Sequence, residues 1–357
     1  MDKKFIRKKR LLNSLIAIIT SLAVLLSGYI GLVWFDIPGI SKLRDLWIET
    51  AMTTYEHQWL ATAFFPDWLV ERVMSEQERP EKIEIAIPTE TPENVTPAPT
   101  PTPVPDILGQ KELEEGKKDS HGNKVLVNDM EEGIVVVEVK GTSFQGHLML
   151  IDDPSRVFVG TTNRKNVWGQ VICDMMADNN AIAGINASGF EDADGHGKGG
   201  KINGKCYSQG EEWGEYNSDY SSIVLTTDNK LVVGDFSDWE KYNVRDGAQF
   251  FPVVIYEGKV MVGKGYGLQP RTIIAQAENG VIMFLVIDGR QLHSAGATYK
   301  QCAEILLEYG AVNAAACDGG SSSVIAYDGE VMNIPSTPMK DTGRYLPNAF
   351  LVRSKKQ

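Results

Sequence analysis

Cysteine and histidine are scarce in this 357-residue chain, with four of the first and five of the second. Cys173, Cys206, Cys302 and Cys317 form no CxxC pair and have no zinc-ligand spacing, so neither a redox dithiol nor a zinc knuckle is predicted. The sequence has no His/Asp metal cluster, no Walker loop and no GxSxG elbow, which argues against phosphoryl transfer at phosphorus and ranks a serine nucleophile below other roles for the hydroxyls. No internal repeat is found, so a solenoid or propeller is excluded. Cations are short as well as unevenly placed. Six of 35 Lys and Arg (Lys3, Lys4, Arg7, Lys8, Lys9, Arg10) lie in the first ten residues beside one acid, Asp2, leaving 29 cations against 46 of the 47 acids, or −17. Such a body is repelled by nucleic acid, and no basic stripe with interleaved aromatics offsets that.

One long apolar run is present. Leu11 to Phe35 carries no ionised side chain and closes near Trp34, long enough to cross a bilayer. With the cations ahead of it, the predicted arrangement is a tail and anchor over 1–35, N-terminus cytoplasmic and body extracellular, in a bacterial cell-surface architecture. A cleaved signal peptide is the alternative, since Ala23, Ser27 and Gly28 are small, but the run continues through Val33. Over 36–87, Leu43, Leu46, Trp47, Met52, Tyr55, Trp59, Leu60, Phe64, Phe65, Trp68 and Leu69 predict one or two amphipathic helices interrupted at Pro66. Their apolar stripe suits a bilayer surface, a partner, or the body itself. Residues 88–121 form a linker, Pro/Thr-rich from Pro88 to Pro105, which favours extended polyproline II and holds the body away from the preceding segment.

The body is expected over 122–357. Many short β-rich runs with two or three helices predict an α+β fold, a single mixed sheet with few helices. Its chemistry gathers in 286–324. A buried strand ends at Asp288-Gly289, a helix carries Cys302, Ile305, Leu306 and Tyr309 on one face, and a second buried strand ends at Asp318-Gly319-Gly320-Ser321-Ser322-Ser323. If the strands are neighbours, both Asp residues lie at one sheet edge, where glycines free backbone N–H groups and hydroxyls add donors. Cys302 and Cys317 fall at the same level and could pair; buried free thiols on apolar faces are the simpler expectation.

Five short motifs occur in order: Asn186-Ala187-Ser188-Gly189-Phe190, Arg271-Thr272, Asp288-Gly289-Arg290, Cys317-Asp318-Gly319-Gly320-Ser321, and Arg344. In this order they resemble the phosphodiester glycosidase family, with departures at Ala187, Ser188, Cys317 and Ser321. The resemblance implies a hydrolase that cleaves the glycosidic bond of a sugar-1-phosphodiester, here in a cell-surface or exopolysaccharide glycopolymer. It also implies Asp288 and Asp318 as the catalytic carboxylates, their individual roles open. An oxocarbenium-like transition state calls for carboxylates, and a phosphate leaving group needs no strong acid. Arg271, Arg290 and Arg344 are then phosphate clamps. Asn186, His293, Gly319, Gly320, Ser321 and Ser322 complete the substrate-binding set. No cofactor is required. The acidic loop around Asp192 and Asp194 suits a calcium ion or an acidic lid, lacking the full EF-hand set. Two other functions fit the same residues: a non-catalytic glycopolymer-binding module, and a serine hydrolase or transferase using Ser321 to Ser323.

Overall fold

A computed structural model describes residues 3–54, 57–77, 83, 107–192, 197–263 and 265–356. The Pro88–Pro105 linker lies outside these residues. Two compact units result, Met1–Gln77 and Glu78–Gln357.

The first unit is helical. Helix α1 (Lys3–Trp34) is followed by α2 (Ile40–Met52), α3 (Trp59–Thr62) and α4 (Asp67–Ser75). Pro66 is the N-cap of α4, with extended backbone, so the predicted interruption is where one helix stops and another starts. Val33, Ile48, Ala51, Ala61, Phe65, Leu69, Val70 and Val73 form a small core of their own.

The second unit is α+β. Its strands are divided among three sheets, and every strand pairing among the described residues is antiparallel. The largest runs Lys124–Asp129, Ile134–Lys140, Gln145–Ile151, Ile282–Ile287, Arg271–Ala277, Ala311–Cys317, Val253–Tyr256 and Lys259–Val260. A five-stranded sheet containing Ala181–Asn186 and Asn348–Arg353, and another containing Ser221–Thr226 and Val244–Phe250, face it.

The large sheet is buried on both faces, which is why its strands read as continuous apolar runs. Ile134, Val136, Met149, Phe284 and Ile274 meet the smaller sheets. Val135, Val137, Leu148, Leu150, Met283 and Leu285 meet α6 (Tyr299–Glu308). Truncating Phe284, wholly inside, would cost about 3–5 kcal/mol. Helix α5 (Ile172–Asp178) covers the outer face of the second sheet through Ile172, Met175 and Met176. Packing of the body reaches back ahead of residue 122: Ile83 is buried in the inter-sheet core, and Asp235 accepts its N–H at 2.6 Å.

Cys302 belongs to the α6 face of the large sheet and Cys317 to its inner face, so the two are separated by the sheet and do not pair. All four cysteines are free. Burial pushes the Cys206 and Cys302 thiols up to about 12.

Candidate active site

The two Asp-bearing strands are not neighbours. Arg271–Ala277 lies between them, antiparallel to both, so Ile282–Ile287 and Ala311–Cys317 run the same way and release Asp288 and Asp318 at one end of the sheet. Pro270, ahead of the middle strand, is gripped from both sides. A Cβ on Gly289 would lie 2.6 Å from Pro270 N, and one on Gly319 would lie 3.0 Å from Pro270 O. Gly320, at φ +61°, donates its N–H to the same carbonyl at 3.0 Å. Each Asp is therefore followed by glycine because the chain must close against Pro270, and at Gly320 also because φ is positive.

Asp288 is buried and fully engaged. Its Oδ1 accepts from Asn333 Nδ2 (3.0 Å) and Ile334 N (3.2 Å), while Oδ2 faces His293 Nε2 at 3.1 Å. Its backbone carbonyl accepts from the Ser294 hydroxyl at 2.5 Å. Asp318 sits differently. The residue is half-buried, and desolvation pushes its carboxyl up to about 6, opposed by a hydrogen bond from Ser322 and by the charges of Arg344 and Arg290. Arg344 donates to Ser321 Oγ at 3.0 Å, pairs with Asp192 at 2.7 Å and stacks over Phe190. Arg290 holds Gln269 Oε1 with a fork of two N–H groups, at 3.0 and 2.7 Å, and its guanidinium lies 3.2 Å from where a Gly320 Cβ would sit. Asp318, Arg290, Arg344, Gly319, Gly320, Ser321 and Ser322 thus form one group, with Asp288 and His293 on the neighbouring loop.

Two predicted residues are placed otherwise. Arg271 points to the α6 face: its Nε donates to Ala297 O (3.1 Å), its Nη2 to Tyr266 O and Gly267 O (2.8 and 3.0 Å), and its guanidinium stacks 3.8 Å from the Tyr299 ring centre. Asn186 is fully buried, donating to Asp318 O at 2.6 Å and accepting from Thr272 Oγ1 and Val324 N at 2.8 and 3.1 Å. It ties three segments below the site. Asp192, half of the predicted calcium pair, takes Arg344 on Oδ2 and Gly197 N on Oδ1. Asp194 lies outside the described residues. Among those residues, no group of three His, Cys, Asp or Glu is arranged to hold a metal.

Asn333 and His147 carry no sequence signal. Asn333 lies in an unpatterned loop, yet it positions Asp288 and also donates to Ser323 O at 3.2 Å. His147 sits within an apolar strand, opposite Val286 and Glu138, and reads there as a core residue. It is buried, its Nδ1 has no partner among the described residues, and burial pulls its pKa down against the charges of Asp288 and Glu138. A row of half-buried rings, Tyr220, Phe250, Phe251 and Tyr266, runs from the Gly189 loop to Tyr299. Phe250 comes within 3.1 Å of a Cβ on Gly189, and Tyr266 meets Tyr299 edge-on at 5.8 Å.

Comparison with known proteins relates the chain to a family and a fold. Residues 179–353 match the family model for phosphodiester glycosidases. The catalytic domain of zebrafish N-acetylglucosamine-1-phosphodiester alpha-N-acetylglucosaminidase, auto-inhibited by its propeptide, superposes with a TM-score of 0.52 at 16% identity, covering 68% of this chain and 87% of that one. That likeness is one of fold. An uncharacterized SPbeta prophage-derived protein of Bacillus subtilis strain 168, YomE, is 25% identical over 209 residues, 51% of this chain and 29% of the relative's length.

Proposed function

Because residues 179–353 of this chain are a phosphodiester glycosidase domain, we propose that the protein hydrolyses the anomeric C–O bond of a sugar-1-phosphodiester within a surface glycopolymer, held at a membrane by α1. The family is one of hydrolases acting on phosphodiester-linked sugars, and the finer statement rests on the Asp318 group. A carboxyl with a pKa near 6 beside two guanidiniums, on a glycine-serine turn, supports an anionic leaving group next to a developing cation.

In this reading Arg290 and Arg344, with the Ser321 hydroxyl, hold the phosphate. Asp318, ionised, acts at the sugar side, as nucleophile on the anomeric carbon or as base on the attacking water. Asp288 holds His293 in place, since its oxygens are already occupied by donors. Over the whole reaction, water supplies hydroxyl to the anomeric carbon, the C–O bond breaks, and its electron pair leaves on a phosphomonoester.

Hydrolysis in ¹⁸O-labelled water tests this, using the full chain with sugar-1-phosphate diesters. The label should appear in the released sugar and be absent from the phosphate. Label in the phosphate would falsify the glycosidase assignment and point to cleavage at phosphorus. Binding of the diesters without turnover would leave a non-catalytic glycopolymer module.

A further inference from the structure

The first unit presents an aromatic surface that its own core does not use. Trp59 is 56% exposed and Phe64 54%, and Trp34, Phe35, Trp47 and Trp68 are exposed as well. Exposed rings gathered on one small unit mark a contact surface. Their position along α1 identifies what they contact. From Leu11 to Gly28 the described apolar side chains of α1 are exposed on every side, as in a helix surrounded by lipid rather than packed in a core. Those 18 residues span about 27 Å at 1.5 Å each, close to the roughly 30 Å of a bilayer's hydrocarbon.

Beyond Gly28, α1 begins to make protein contacts on one side, while Tyr29, Ile30, Trp34 and Phe35 stay exposed. Tyr29 donates to Phe64 O at 3.0 Å, Arg44 donates to Leu32 O at 2.9 Å, Val33 is buried, and the Trp34 and Trp68 rings lie 5.2 Å apart. Phe64, with Trp59 beside it at 6.5 Å, is therefore level with Tyr29, where the hydrocarbon ends. Trp34 and Trp68 stand about 7.5 Å higher, five residues along α1. Tryptophan and tyrosine concentrate at this boundary, where an apolar ring with one polar atom suits both sides. Arg44, Asp36, Asp45 and Arg72 form an ion network within the same unit. Its Arg44 satisfies a C-terminal carbonyl of α1, so the bundle is fixed to the helix end.

We propose that α2, α3 and α4 form a collar seated in the lipid interface at the outer end of α1, with Trp59 and Phe64 at the acyl boundary and Trp34 and Trp68 among the headgroups. The partner is the bilayer. This rests on α1 being the anchor, and the test separates the two claims.

The full chain is reconstituted into phosphatidylcholine–phosphatidylglycerol vesicles, with nitroxide labels on Trp59→Cys, Phe64→Cys and, as a body control, Lys230→Cys, each in a Cys173→Ser background. Co-flotation with the vesicles reports the anchor. Collision with oxygen should exceed collision with a water-soluble nickel chelate at 59 and 64, with the order reversed at 230. Nickel accessibility at 59 and 64 equal to that at 230 would overturn the collar while leaving the anchor. Low accessibility to both reagents would also overturn it, assigning the surface to a protein partner. Failure to float would remove both claims. For the chain without added cysteines, vesicles brominated near the top of the acyl chains should quench tryptophan fluorescence. Of the single substitutions Trp34→Phe, Trp59→Phe and Trp68→Phe, Trp59→Phe should lose the most quenching; an unchanged signal in Trp59→Phe counts against the collar.

Discussion

Asp318 is a carboxyl whose native environment favours its neutral form. Between its ordinary value of 3.8 and about 6 the folded chain holds more protons than the unfolded one, so its contribution to stability is present below pH 3.8 and lost as pH rises through about 6. Asp318→Asn should remove that slope, which urea midpoints at pH 4 and pH 7 would measure. Its catalytic role requires the ionised form, so kcat/KM should climb with pH through about 6 and then level off. Asp318→Asn should lower kcat/KM by about 10²- to 10⁴-fold, the usual range for a positioned acid or base. Arg271 is a case where two roles separate cleanly. Its charge is spent on three backbone carbonyls and a ring, so Arg271→Lys should cost about 1.5–3 kcal/mol of stability, the worth of charged hydrogen bonds. A phosphate clamp would instead raise KM with the urea midpoint unchanged.

At the scale of elements, the site depends on how three strand ends meet, and α6 helps set that meeting. Thr298 caps α6 through a reciprocal pair with Gln301, next to Ala297, whose carbonyl seats Arg271. Thr298→Ala should cost about 1 kcal/mol, read as a lower thermal midpoint, with a smaller loss of activity than Asp318→Asn. Gly289 is more demanding. Gly289→Ala forces a methyl group into Pro270 backbone, which cannot move aside, so activity should fall with the spacing of Asp288 and Asp318 even where the fold survives. A circular dichroism spectrum beside the activity assay checks that the two losses are distinct.

For the whole molecule, the arrangement proposed is a catalytic body tethered outside a membrane by the Pro/Thr segment 88–105. Protease added to intact cells should release a soluble, active body by cutting in that segment. Recovery of an intact body only after lysis would reverse the topology.

What the sequence by itself determined was whatever depends on local order. The apolar run of α1, the proline stop before α4, the strand ending at Asp288, the helix with Cys302 and Leu306 on one face and the strand ending at Asp318 are all written in residue periodicity and turn chemistry. The family was legible too, because five short motifs kept their order from Asn186 to Arg344. Only the tertiary structure decided which of those residues meet. Arg271 and Thr272 are adjacent, yet strand alternation sends one to Tyr299 and the other to Asn186. Asn333 reaches Asp288 across 45 positions, and Arg344 reaches Asp192 across about 150, distances over which no periodicity carries information. Sheet order decided the rest. Arg271–Ala277 lies between the two Asp strands, so the carboxylates share one end of the sheet without their strands being neighbours, and Cys302 and Cys317 lie on opposite faces of that sheet, because pairing partners are chosen by the packing of the whole core.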